Sequence, residues 1–216
     1  MSRRSPSVAP VQTRERPTPF RERFRREVLA TIAEAAEDVF AEQGLRDAHV
    51  GEIARRAGVA VGTLYNYYED RDALLAALLK ERQDAFLATL EAALATPGPF
   101  RVQLHTFVTA YMAFFTKHRR YFKILLEGEL MHLQAALPRA ASVQLGCYQL
   151  LMQRIEALVD GGVKTGVLRP AGAGLYAWLI LGMLRSLAMR DIRNYKAYEP
   201  TDGEELVSVF LRGAEV

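Results

Sequence analysis

Val61, Gly62, Thr63, Asn66 and Tyr67 fall within seven consecutive residues, and Arg71 follows them. These side chains recognise surfaces rather than break bonds. The Asn66 amide donates and accepts at once, the hydroxyls of Thr63 and Tyr67 do either, and Arg71 is a permanent cation. Nucleophilic or acid–base catalysis needs other groupings. No Ser-His-Asp arrangement, phosphate-binding glycine loop or carboxylate pair stands out anywhere in the chain, so an enzyme is not expected. Glu129 and His132 are three apart, a spacing that places two metal ligands on one helix face, but no second pair matches them. Neither a metal nor a cofactor is expected.

Such residues act together only if short, rigid elements hold them. Val50 to Ala57 reads as a short helix whose inward face is Ile53, Ala54 and Ala57, with alanines small enough to let another helix approach. Gly58 supplies the permissive backbone of a turn. A further helix spans about Val61 to Tyr67, with Leu64 and Tyr68 four apart and pointing to the core. Val61, Gly62, Thr63, Asn66 and Tyr67 then fall largely on the opposite side. Two short helices across a tight glycine turn have the layout of a helix-turn-helix, whose second helix lies in the major groove of DNA. There Asn66 can bond adenine bidentately, Thr63 a base edge or phosphate, and Val61 a thymine methyl. Gly62 removes bulk where the backbone comes close. Tyr67 and Arg71 can hold phosphates, which positions without specifying. His49 is a further candidate DNA contact, and helix N-termini near Val50, Val61 and Arg71 add backbone N–H donors.

The surrounding chain is all-α, with about nine helices and no period-two pattern. Phe24, Val28, Ile32, Ala35, Ala36, Val39 and Phe40 mark an amphipathic helix from about Phe20, stopped near Gly44. A long helix begins near Asp70 and runs through Leu94 to the break at Thr96-Pro97-Gly98-Pro99. Further helices are predicted at about 100–118, 121–133, 140–165, 171–194 and 202–212. Thr201 and Glu204 fit a capping box for the last one. The domains expected are a disordered basic arm (1–19), a DNA-binding unit (20–70) and a larger helical unit (71–216).

Charge distribution says more than the net +3. Residues 1–28 hold eight Arg against three Glu, whereas residues 29–72 hold four Arg against nine acids. Phosphate attraction would then depend strongly on the arm. One cysteine, Cys147, excludes an internal disulfide framework, no signal-peptide pattern is visible at the start, and the apolar run Ala171 to Leu184 is short of the ~20 residues of a membrane span. A cytoplasmic protein is expected.

Gly44, Val50-x-Glu52-Ile53-Ala54-x-x-Ala57-Gly58-Val59, Gly62-Thr63-Leu64-Tyr65-x-Tyr67-Tyr68 and Leu74 resemble the DNA-binding domain of the TetR family of bacterial transcriptional regulators. The resemblance covers about residues 25–75. It implies that Thr63, Tyr67 and Arg71 contact DNA, and that the remaining helices bind a ligand and dimerise. Five positions depart from the family pattern. Ala48 and His49 stand where Thr or Ser is common, Ala60 where a Ser usually caps the recognition helix, Val61 where a polar or basic residue is frequent, and Tyr68 where Phe is usual. A missing Ser cap costs ~1 kcal/mol of helix stability.

The middle helices are rich in aromatics that serve as bundle core or as the wall of an apolar pocket. Candidate pocket residues are Phe107, Tyr111, Phe115, Phe122, Tyr148, Met152 and Trp178, with Glu127, His105, Gln149 and Arg185 as polar groups. A buried Glu127 would favour a cationic ligand, a buried Arg185 an anionic one. Leu175, Trp178, Leu179, Leu181, Met183, Leu184 and Leu187 make the eighth helix apolar around much of its circumference. With Leu206, Val207, Val209 and Phe210 of the last helix, they form the expected surface of a homodimer. The function expected is a ligand-responsive regulator, most often a repressor, that binds double-stranded operator DNA and releases it on binding a small, largely apolar effector. The alternative is an all-α enzyme or small-molecule carrier with a merely structural N-terminal part.

Overall fold

A computed structural model describes residues 19–95, 97–127, 135–170 and 173–214. The proposed arm at 1–18, and Glu129 and His132, lie outside these residues. Among the described residues there are nine helices and no strand: α1 (Pro19–Asp47), α2 (Val50–Arg56), α3 (Val61–Tyr65), α4 (Arg71–Leu94), α5 (Phe100–Lys117), α6 (Arg119–Glu127), α7 (Pro138–Lys164), α8 (Ala173–Ile192) and α9 (Pro200–Ala214).

Glycines and caps set the boundaries. α1 is broken at Gly44, whose φ of 79° and ψ of 168° no side-chain-bearing residue adopts readily. The chain leaves α2 through Gly58 at φ 66°. There Gly58 N–H donates to Arg55 O and Val59 N–H to Ala54 O, the paired bonds of a Schellman turn. Asp70 caps α4 by accepting from Ala73 N at 2.7 Å. The start of α9 differs from the Thr201/Glu204 box. Pro200 takes the first helical position, and Asp202 reaches back to accept from Glu199 N at 2.9 Å. Pro has no N–H to lose at that position, so the helix begins two residues earlier than expected.

α1, α2 and α3 close over Ile32, Ala36, Val39, Phe40, Ile53, Ala54 and Leu64, all at most 2% exposed. α4 leaves this unit and packs mainly against α5 and α7. α6 lies against α1, where Arg120 pairs with Asp38 at 2.7 Å. Arg82 of α4 meets the buried Glu37 of α1 at 2.9 Å. Arg119 binds the Asp191 carboxylate, and Tyr198 N–H donates to the same side chain, which ties α6 to the α8–α9 connection. No helix among the described residues is long and apolar enough to cross a membrane.

Candidate nucleic-acid interface and ligand cavity

α3 is five residues long because its last turn tightens: Tyr67 and Tyr68 N–H both donate to Leu64 O at 3.0 Å. Asn66 is therefore the C-cap rather than a mid-helix residue, and the helix ends before the expected Tyr67. Leu64 is fully buried. Val61, Gly62 and Asn66 are exposed, while Thr63 and Tyr67 are half-buried, with Tyr67 packed partly against the core. Tyr65 is 50% exposed beside Val61, so a second aromatic ring stands on the outward face. The i, i+4 step from Val61 to Tyr65 carried that signal in the sequence.

His49 is exposed and is the N-cap of α2, and Ala60 is the N-cap of α3; neither makes a side-chain cap bond. Ala48, by contrast, is fully buried. Arg71 is half-buried, with Nη1 donating to Arg46 O at 3.0 Å and Ala48 O at 3.1 Å. These two bonds brace the loop before α2.

The two arginines of α2 are occupied within the chain. Arg55 grips Glu52 bidentately at 2.8 and 2.7 Å, and Arg56 bonds both Glu52 and Glu42. Their hydrogen bonds hold the Glu52 carboxyl down at about 2. Much of the positive charge beside the reading helix is thus already matched.

A cavity of about 80 Å³ lies among α4, α5, α6, α7 and α8. Tyr111, Phe122 and Tyr148 line it, as does Arg185. Phe86, Leu125, Leu126, Gln144, Cys147, Leu151 and Leu181 complete the wall. The Phe86 ring is 5.2 Å from Tyr111 and 5.6 Å from Phe122, both edge-on. Phe107 and Phe115 are instead buried core at 0% and 1% exposure, and Met152 is buried outside the lining. Trp178 stands 61% exposed on the outer side of α8, with its ring 5.7 Å from Tyr148. His105, Gln149 and Arg185 are exposed, so Arg185 borders the cavity from its solvent side and is not the buried cation considered from the sequence. The Glu127 side chain lies outside the described residues.

Two polar atoms of the cavity wall have no partner among the described residues: Gln144 Oε1 and the Tyr148 hydroxyl. Gln144 Nε2 donates to Leu125 O at 3.3 Å, which fixes the amide with its oxygen left over. An unpaired buried polar atom costs ~1–3 kcal/mol, so such a pair implies a ligand group or water. Burial pushes the Cys147 thiol up to about 11, which keeps it neutral. A separate open groove of about 500 Å³ runs between α8 and α9, past Trp178, Leu179, Met183, Leu187, Leu206 and Val209, whereas Leu181, Leu184, Val207 and Phe210 of the expected dimer surface are buried in the core of this chain.

Residues 32–78 match the family described as bacterial regulatory proteins, tetR family. The chain is 40% identical over 60 residues to the fatty acid metabolism regulator protein of Bacillus subtilis, a match covering 28% of this chain and 31% of that protein. It is 24% identical over 195 residues to the transcriptional repressor KstR2 of Mycolicibacterium smegmatis, covering 90% of both. In fold it is similar to the regulator FadR of Bacillus subtilis solved in complex with stearoyl-CoA, with a TM-score of 0.73 at 20% identity over 85% of this chain and 98% of that one. Together with the helix-turn-helix geometry, these matches identify residues 32–78 as a domain of the tetR family of bacterial regulatory proteins.

Proposed function

We propose that this ligand-responsive transcriptional regulator is a homodimeric, cytoplasmic repressor, with residues 20–70 as reader and 71–216 as sensor and dimerisation unit. Its effector is an elongated apolar molecule carrying an anionic group. The observation that carries the effector class is the composition of the cavity: an aromatic and aliphatic wall, unpartnered Gln144 Oε1 and Tyr148 hydroxyl, and the solvent-exposed cation Arg185 at its edge. An apolar chain fits the wall, a carboxylate or phosphate fits Arg185, and a donor group fits Gln144. The names of the similar proteins, a fatty acid metabolism regulator and a FadR bound to stearoyl-CoA, point the same way.

At about 80 Å³ the cavity is smaller than the ~300–1,000 Å³ of ordinary ligand sites. An effector must therefore widen it, which displaces α6 and α7 relative to α4. Because α4 starts at the reading head, that displacement changes the spacing of the two recognition helices in a dimer. The effector must bind the widened form better than the DNA-bound one, since only differential affinity shifts an equilibrium. Exposed Leu175, Trp178 and Leu179 on α8 and Val209 on α9 support the two-fold contact, being a contiguous apolar face that water would otherwise cover.

Calorimetric titration with stearoyl-CoA and stearylamine tests the effector class. Saturable binding of stearoyl-CoA, weakened at least ~10-fold in Arg185→Ala, is expected. Tighter binding of the amine, or an Arg185→Ala variant that binds stearoyl-CoA as the native chain does, would defeat it.

A further inference from the structure

Three consecutive residues at the start of α4 hold three different parts of the molecule. Asp70 caps α4 itself. Arg71 bonds the carbonyls of Arg46 and Ala48, in the segment that leads into α2. Asp72, 8% exposed, turns its carboxylate to the N-terminus of α7: Oδ2 accepts from Arg139 N and Oδ1 from Ala140 N, each at 2.9 Å.

The need for this bond is visible in α7. Its own N-cap, Leu137, has no side-chain oxygen, and Pro138 follows at the first helical position. The N–H groups of the second and third positions are left without a local acceptor. A carboxylate from a residue 67 or 68 positions earlier supplies both bonds, and a negative charge there also suits the helix dipole. The Arg139 side chain adds ion pairs to Asp70 and Glu69 on the surface, but these are exposed and weak.

α7 then carries Gln144, Cys147, Tyr148 and Leu151 into the cavity wall. At 1.5 Å per residue, Gln144 lies ~6 Å and Tyr148 ~12 Å along the helix from Ala140. A rigid helix thus connects the cavity to a buried carboxylate whose neighbour, Arg71, braces the reading head. We propose that Asp72 is the coupling residue of the regulator, the joint through which the state of the cavity reaches the recognition helix. This rests on the cavity being the effector site. By linkage the coupling runs both ways, so DNA binding must also alter the α7 N-terminus.

The test uses the full chain, a labelled duplex from upstream of its own gene, and Asp72→Asn, which keeps the shape of the side chain but turns a donor toward one of the two N–H groups. In the native chain, saturating stearoyl-CoA is expected to weaken duplex binding at least ~10-fold. In Asp72→Asn, stearoyl-CoA should bind within ~3-fold of native affinity while its effect on duplex binding falls below ~3-fold. A variant that still loses the duplex ~10-fold on stearoyl-CoA overturns the proposal.

Two further measurements separate this from the effector assignment. Leu151→Trp wedges the cavity without any ligand. Its effect on duplex affinity should be at least ~5-fold in the native background and below ~2-fold with Asp72→Asn, and multiplicative effects overturn the coupling. Hydrogen exchange of the native protein needs neither variant nor effector. Adding duplex should change exchange at the Arg139 and Ala140 amides, and unchanged rates at both overturn it.

Discussion

Ala60→Ser supplies the oxygen that the recognition helix lacks. Ala60 is the N-cap of α3 at φ −67° and ψ 146°, the extended conformation from which a serine hydroxyl accepts a bond from the first turn, and no side-chain cap bond exists there now. The site is exposed, so the added hydroxyl meets no packing. A cap of this kind contributes ~0.5–1 kcal/mol on a short exposed helix. For a chain of this size each kcal/mol moves Tm by ~2–4 °C, so a rise of ~1–4 °C is expected by differential scanning calorimetry. If the same hydroxyl reaches a phosphate, duplex affinity rises at least ~10-fold, the worth of one hydrogen bond to a charged group. Being uncharged, it releases no counterion, so the slope of log affinity against log salt must stay unchanged. Ala60→Val, with no acceptor, is the control. A Tm that does not rise in Ala60→Ser, or that rises equally in Ala60→Val, refutes the cap argument.

Glu52→Gln removes the bidentate partner of Arg55, and fluorescence anisotropy should then show tighter duplex binding with a salt slope steeper by ~1. The native Glu52 carboxyl, held at about 2, keeps its pairing above the ordinary carboxylate range and loses it as pH falls toward 2; carboxyl chemical shifts should titrate with that midpoint. Gly161 and Gly162 are adjacent in α7 but opposite in surroundings. A Cβ on Gly161 meets nothing within 4 Å, so Gly161→Ala should stabilise by up to ~1 kcal/mol. A Cβ on Gly162 would come 2.8 Å from the Phe100 ring, and overpacking of ~1–3 kcal/mol outweighs that gain, so Gly162→Ala should lower Tm. Cys147, neutral up to about 11 and buried, should react with a thiol reagent at pH 8 far more slowly than in the urea-unfolded chain; equal rates would contradict the burial of the thiol.

The reading head was legible because its information is local. Gly44 and Gly58 sit at positive φ where turns were expected, and the Leu64/Tyr68 spacing orients α3 without knowledge of any other element. Tyr65 lies within a run of tyrosines, and only the i, i+4 step from Val61 marks it as outward. The cavity was less legible, for a geometric reason. On α5, Phe107, Tyr111 and Phe115 are four apart and share a face, and only the way neighbouring helices cross them decides that Tyr111 lines the cavity while the other two are core. Trp178 faces outward for the same reason. The capping of α7 by Asp72 joins residues far apart in sequence, and nothing near Leu137 announces it.

The central claim is that a ligand in the cavity of α4–α8 controls the DNA reader. The most direct measurement is anisotropy of a labelled duplex from upstream of the protein's own gene, titrated with and without saturating stearoyl-CoA. The account predicts specific binding with a steep salt slope, weakened at least ~10-fold by stearoyl-CoA. Duplex affinity that stearoyl-CoA leaves unchanged while demonstrably bound in the cavity would contradict it.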